Sequence, residues 1–405
     1  MSAEPGKGAE RLHHWDFSRA FYLMLGIPFH AAVVYSLSHE WSISSPDKSQ
    51  VLTWLANFIH MFRMPGFFIL AGLFSMMLLD RRGAGRWLKS RLFRLGLPLL
   101  SATLLILPFQ IVVQSLAQNL LGVVPTADLP AYMIGQLTSF GEPWISHLWF
   151  LWSLIAYCVA LAFVYALVGG FRWQRALQAS ACWCGANRLA ALMLFVAACA
   201  VGAYLQTKIV AASPYYGNAV INYNQYVIYF GFGVLIYKSR RTHDWFLRQG
   251  PLSLFVGAGL VTLAQMPGTD MTTHTFKVMA GIAGALFIVG AISRMAFDRC
   301  ASQSPRVRKL VDASFTIYLF HHPVVYVLAT LLLLIDLPPV IEFALIATGA
   351  AFISYGIHLV ISRSPLAMLM FNGIKPAPGR VTAATGQAAA QGVSGLYPLR
   401  QSSMG

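Results

Sequence analysis

Residues 17–37 read FSRAFYLMLGIPFHAAVVYSL, a stretch with one permanent charge, Arg19, and one histidine, His30. A helix crossing a hydrocarbon core of about 30 Å needs roughly 20 mostly apolar residues. This stretch has that length and composition. Nine further runs share its character, at about 55–79, 95–117, 147–168, 189–206, 219–237, 252–266, 276–293, 312–334 and 338–362. The seventh and eighth are short and flank the turn-like Met266-Pro-Gly-Thr-Asp270. None alternates as a barrel strand would. The pattern predicts an all-α fold, a polytopic membrane helical bundle of about ten transmembrane helices.

Composition agrees. Of 405 residues 57% are hydrophobic and 11% charged, against about 25% charged in a soluble domain. Disordered, collagen-like and disulfide-scaffold classes fail on the same figures. The net charge of +15 is unevenly placed. With the N-terminus inside, 24 of the 29 Lys and Arg fall in inner segments. Lys48, Lys208 and Lys277 are outside, and Arg19 and Arg63 lie within spans. That is the positive-inside bias, so both termini are expected in the cytoplasm. No nucleic-acid partner is expected, because no aromatic-plus-basic module accompanies the charge. The first run is too long for a signal-peptide core and is read as retained. Cys158 and Cys199 fall in spans and Cys182, Cys184 and Cys300 in inner loops, so no structural disulfide is expected. The organisation is a flexible N-terminus over 1–14, one membrane domain over 15–365, and a disordered cytoplasmic tail over 366–405.

Ionisable residues inside spans are costly, so each is a functional candidate. Eleven helical residues at 1.5 Å place His30 about 16 Å above Arg19. Arg19 then lies near the inner face and His30 about two-thirds of the way across. The second run points the other way, so Arg63, about 12 Å below its outer end, shares the depth of His30. His60 is one turn above Arg63 on the same face. Such a layout suits a reaction that crosses the membrane. Arg19 suits a phosphate, with Arg91 and Arg94 on the basic amphipathic stretch 81–94 as further ligands. The pantetheine arm of coenzyme A, on the order of 15–20 Å, matches the rise from Arg19 to His30. His30 could serve as general base on an outside hydroxyl, and Arg63 could hold a thioester oxyanion or an acyl carboxylate. Asp16, His60, His147, Tyr318 and His321 are candidate lining residues. His321 and His322 diverge by about 100° on a helix, so at most one is expected to face a site. No spacing makes a metal site, and no permanently bound cofactor is expected.

Each candidate has a plainer reading. Arg19 can be a snorkelling anchor, His30 a helix-packing hydrogen bonder, the basic stretch a contact for anionic lipid, and His147 with Trp149 an interfacial belt. Arg63 is hardest to explain structurally at its depth. A transporter would also carry buried Arg and His, but no paired broken helices are visible in two halves of the chain.

Arg19, ten intervening residues and His30 resemble the R-x10-H signature of membrane-bound acyltransferase family 3. Phe67-Phe-Ile-Leu-Ala71-Gly72 is similar to that family's second-span motif, with Ala71 where many members have Ser. Arg91-Leu-Phe-Arg94-Leu-Gly-Leu-Pro98, His147-Leu-Trp149-Phe150-Leu151, Tyr229-Phe-Gly231-Phe-Gly233 and Ser314-Phe-Thr-Ile-Tyr318-Leu-Phe-His321-His322-Pro323 also match in order. The resemblance covers about residues 12–365 and implies a ten-helix core and acyl-CoA as co-substrate. Ile27-Pro28-Phe29-His30, Tyr35-Ser36 and Phe62-Arg63-Met64-Pro65-Gly66-Phe67-Phe68 resemble a narrower group that succinylates osmoregulated periplasmic glucans. That likeness implies succinyl-CoA as donor, a periplasmic glucan or other envelope polysaccharide as acceptor, and a bacterial inner-membrane setting. Membrane lipid and other glucan-synthesis membrane proteins are the further partners expected. The alternative is acetyl transfer to lipopolysaccharide, exopolysaccharide or another envelope glycan.

Overall fold

The structure, a computed structural model, describes residues 13–39, 41–139, 141–168, 170–212, 226–267, 271–300 and 304–375. Among these residues there is no strand. The first run is split into α1 (His13–Met24) and α2 (Gly26–Val33). Pro28 has no N–H for the Met24 carbonyl and its ring crowds that turn, so the helix breaks at Leu25. The second run is α3 (Gln50–Arg82), started by Ser49, whose hydroxyl accepts from the Leu52 amide, and stopped at Gly83 with φ +74°. The third is α4 (Ala84–Leu105) and α5 (Leu107–Leu120), bent by 42°. Pro108, which cannot donate to Leu104, accounts for that bend. The long connection from α5 to α7 holds α6 (Leu129–Thr138) and two 3-10 turns, Glu142–Trp144 and Ser146–Leu148.

The remaining helices are α7 (Trp149–Leu167), α8 (Gly170–Ala186), α9 (Arg188–Ala212), α10 (Val227–Lys238), α11 (Arg240–Phe246), α12 (Pro251–Ala264), α13 (Met271–Arg299), α14 (Pro305–Leu332), α15 (Pro339–Ile361) and α16 (Pro365–Asn372). All ten apolar runs fall on helix within the described residues. Residues 219–225 of the sixth run, and 268–270 of the turn after the seventh, lie outside them. Among the described residues six helices are long and apolar enough to cross a membrane, and up to eight spans result when the bent pairs α4/α5 and α11/α12 each count as one. The chain is a multi-pass helical membrane protein.

Two boundaries move. Residues 13 and 14, read as flexible, open α1, and His14 packs edge-on against Phe297 with ring centroids 5.1 Å apart. Residues 366–374, read as tail, are α16 and its cap, folded back against α4. The apolar Leu366-Ala-Met-Leu-Met-Phe371 explains the difference, since such a stretch buries surface that a polar tail lacks. Residues 1–12 and 376–405 lie outside the described residues.

Segments that charge assigned to one side of the membrane meet one another at one end of the bundle. Asp80 at the end of α3 accepts from Lys238 of α10 and, at 2.9 Å, from Gln174 of α8. Thr242 of α11 donates to the Ala181 carbonyl of α8 at 2.7 Å. The cap of α16 lies against the Arg94 backbone. At the other end Gln118 donates to the Ser42 carbonyl, and His39 to Asn57 at 2.8 Å.

Helix α3 runs through the centre. A Cβ on Gly72 would sit 1.9 Å from the Phe230 carbonyl oxygen, and one on Gly233 would sit 1.9 Å from that of Ile69. Backbones of α3 and α10 touch there because neither partner has a side chain, the usual device for close helix approach in lipid. Large apolar residues point outward on the peripheral helices, Phe255 and Phe352 among them, where acyl chains replace water as solvent.

Candidate active site

Two adjoining cavities lie inside the bundle. The larger, of about 360 Å³, is at the basic end and is lined by Asp16, Arg19, Arg91 and Arg94. It is the vestibule. The smaller, of about 20 Å³, is lined by Tyr22, His30, Arg63, His147, Trp149 and Tyr318. That is room for about one water. Leu23, Phe67 and Phe150 line both cavities and form the wall between them. The Phe67 and Phe150 rings meet edge to face at 4.8 Å.

In the vestibule α1 supplies Arg19, half exposed and 3.7 Å from Asp16 one turn earlier. Helix α4 supplies Arg91, whose Nε is buried without a hydrogen-bond partner, and the exposed Arg94. The i,i+3 spacing of these arginines turns both toward one side of α4. Three guanidinium groups around one open cavity are able to contact an anion from several sides.

The chamber is built differently. Arg63 on α3 is 7% exposed and its guanidinium lies 4.5 Å over the ring of Phe29 on α2. Its Nε has no hydrogen-bond partner, and among the described residues no carboxylate lines the chamber. A buried cation held only by a ring face is costly. His30 on α2 is half buried, with Nδ1 enclosed and unpartnered. It packs against His322 at 4.5 Å, His321 at 5.4 Å and Trp41 at 5.6 Å between ring centroids. Gly26 makes this approach possible. A Cβ there would be 2.8 Å from His321 Nε2 and 3.0 Å from an Arg63 terminal nitrogen.

Three of the four clustered histidines have their protons placed by their partners. His321 Nδ1 donates to the Tyr318 carbonyl at 2.7 Å, leaving a buried, unpartnered Nε2. His322 Nδ1 donates to Gln110 Oε1 at 2.9 Å, and Gln110 Nε2 donates to Ser146 at 2.8 Å. His147 Nε2 donates to the Leu319 carbonyl at 3.1 Å. That carbonyl is free because Pro323, four residues on in α14, has no N–H to offer it. Tyr318 in turn donates its hydroxyl to the His147 carbonyl. Ser146 has φ +42°, the one non-glycine residue at positive φ among those described, and strain of this kind gathers at functional sites.

The structure thus brings Arg19, Arg91, Arg94 and Asp16 to one cavity, and His30, Arg63, His147 and Tyr318 to the next. His321 stands behind Gly26. His60 stacks on Phe29 at 5.3 Å, on the ring that also carries Arg63, and does not line the chamber. Neither His321 nor His322 lines the chamber, within the expectation that at most one of them faces it. Their rings diverge, 6.2 Å apart, yet both reach His30, which lies between them, and His322 is the nearer. Gln110 and Trp41 were missed. A glutamine inside the apolar run Ile106-Leu-Pro-Phe-Gln110-Ile-Val-Val was a visible signal; nothing in the sequence marked Trp41.

Residues 12–359 match the family model described as an acyltransferase domain. Curated relatives named "Glucans biosynthesis protein C" from Salmonella heidelberg, Salmonella agona and Salmonella dublin are each 31% identical to this chain over 415 aligned positions. The alignments cover 95% of this chain and all of each relative. No solved structure matches.

Proposed function

The chain belongs to acyltransferase family 3, and on that footing we propose that it transfers a succinyl group from cytoplasmic succinyl-CoA to hydroxyls of periplasmic glucans across the bacterial inner membrane. The name its relatives carry supports the glucan acceptor. The observation that carries the donor is Arg63, a buried guanidinium beside His30 with no carboxylate in its chamber. An acyl group bearing its own carboxylate completes that ion pair.

The vestibule arginines hold the phosphates of coenzyme A, and the pantetheine arm passes the Leu23, Phe67 and Phe150 wall. The thioester carbonyl then reaches His30. The glucan hydroxyl attacks that carbon as His30 takes its proton, a new C–O bond forms, and charge develops on the carbonyl oxygen. Collapse breaks the C–S bond, and the departing thiolate takes the proton from His30.

The test is mass spectrometry of periplasmic glucans from cells lacking the gene and complemented with wild type or His30→Ala. Succinyl increments restored by wild type and not by a normally inserted His30→Ala support the reading. Normal succinylation by His30→Ala refutes the base assignment. Glucans unchanged by the deletion remove the glucan acceptor and turn attention to acetyl groups on other envelope polysaccharides.

A further inference from the structure

The vestibule has a wall that the sequence placed in a disordered tail. Asn372 and Ile374, at and after the end of α16, line the cavity beside Arg91 and Arg94. This segment is fixed from three sides. Asn372 is 9% exposed, and its Nδ2 donates to Thr316 Oγ1 of α14 at 2.9 Å. The same Thr316 oxygen is 3.1 Å from His358 Nδ1 of α15. Phe371 packs on Phe320 with ring centroids 5.1 Å apart. Gly373 then turns the chain with φ +61°, and a Cβ there would lie 2.8 Å from both Cα and the carbonyl oxygen of Arg94. The turn sends Lys375 back over α4, its ammonium 4.7 Å from the ring centre of Phe93, next to Arg94.

We propose that the segment Asn372–Lys375 is part of the donor-binding site: Gly373 docks it on α4, and Lys375 adds a fourth cation to the Arg19, Arg91 and Arg94 set that receives the phosphates of an acyl-CoA. This rests on the donor reading above. The chemistry asks for several cations, because coenzyme A carries a diphosphate and a further phosphate monoester, and no single guanidinium spans both. Arg19 is already shared with Asp16. The exposed Lys375 serves as a point charge for the outer phosphate, while the arginines that line the cavity suit bidentate contacts. Only glycine satisfies the docking turn, since any side chain meets the Arg94 backbone as well as an unfavourable φ.

The experiment measures binding of radiolabelled, unacylated coenzyme A to the full-length protein in nanodiscs, with KM and kcat for acyl-CoA turnover alongside. Lys375→Gln, an exposed change that leaves the fold intact, is expected to weaken binding about three- to tenfold and to flatten its salt dependence. It should raise KM and leave kcat near wild type. Gly373→Ala is expected to weaken binding more, by about tenfold or greater. Wild-type binding by both variants, with Arg91→Gln/Arg94→Gln still defective, overturns this inference and leaves the donor reading standing. Unchanged binding in Arg91→Gln/Arg94→Gln, or no coenzyme A binding by wild type, overturns both.

Discussion

The vestibule and the chamber both use arginine, and they use it in opposite ways. In the vestibule Arg19 and Arg94 reach solvent, Arg19 has Asp16 beside it, and several cations surround one cavity. Each contributes through screened, water-competed contacts worth about 1 kcal/mol or less, and any one can partly cover for another. In the chamber one guanidinium is enclosed, rests on a ring face and has no carboxylate. Nothing there can replace it, and the low dielectric magnifies whatever it touches. Under the proposed mechanism, affinity at one site is spread over many groups, while chemistry at the other depends on two side chains.

That contrast is open to attack from both ends. The largest effect is expected for His30→Ala, a loss of about 10²- to 10⁴-fold in kcat with coenzyme A binding unchanged. Radiolabelled turnover set beside binding measures both, and a parallel loss of binding would dissolve the division of labour. Arg63→Gln is expected to cost about 10²- to 10³-fold. Arg63→Lys sharpens the comparison. It should harm succinyl transfer more than acetyl transfer, because the planar fork that grips a carboxylate is lost. Equal losses with the two donors would confine Arg63 to the oxyanion.

Smaller changes belong to the vestibule and the rim. Arg94→Gln should raise KM about three- to tenfold, less so as salt is added, with kcat kept. A collapse of kcat there would mean that the vestibule also takes part in the chemistry. The smallest effect concerns His39, in the loop after α2 at the outer end. Burial pushes its pKa below the usual imidazole value, with the Asn57 hydrogen bond acting the other way. The neutral form is favoured in the fold, so its stability contribution is complete above about pH 6.5. It is lost as pH falls through the depressed value. Thermal melts against pH should show a slightly shallower acid limb for His39→Ala.

Much of this was legible from periodicity and charge. Apolar length found the helices, and counting residues put His30 and Arg63 at one depth, where they now share a chamber. Arg19, Arg91 and Arg94 were grouped by charge and side alone. What escaped was tertiary. The break at Leu25 was marked by Pro28, yet Pro65, Pro98 and Pro323 sit inside continuous helices, so proline alone did not discriminate. The Gly72 and Gly233 contact and the docking of Gly373 depend on which helices become neighbours. Adjacent His321 and His322 read as divergent on an isolated helix, and only the placement of α2 shows that both rings pack on His30.

The shelter around Arg63 has a consequence for how the protein is made. Phe29 precedes it in the chain, but the Tyr318 that lines the chamber and the His321 packed on His30 emerge only with α14. At about 5–20 residues per second, roughly a quarter of a minute to a minute of synthesis separates Arg63 from those residues. For that interval a charged helix waits in the bilayer without its final neighbours. A ribosome that stalls before α14 leaves a chain in which the chamber around Arg63 lacks its Tyr318 wall.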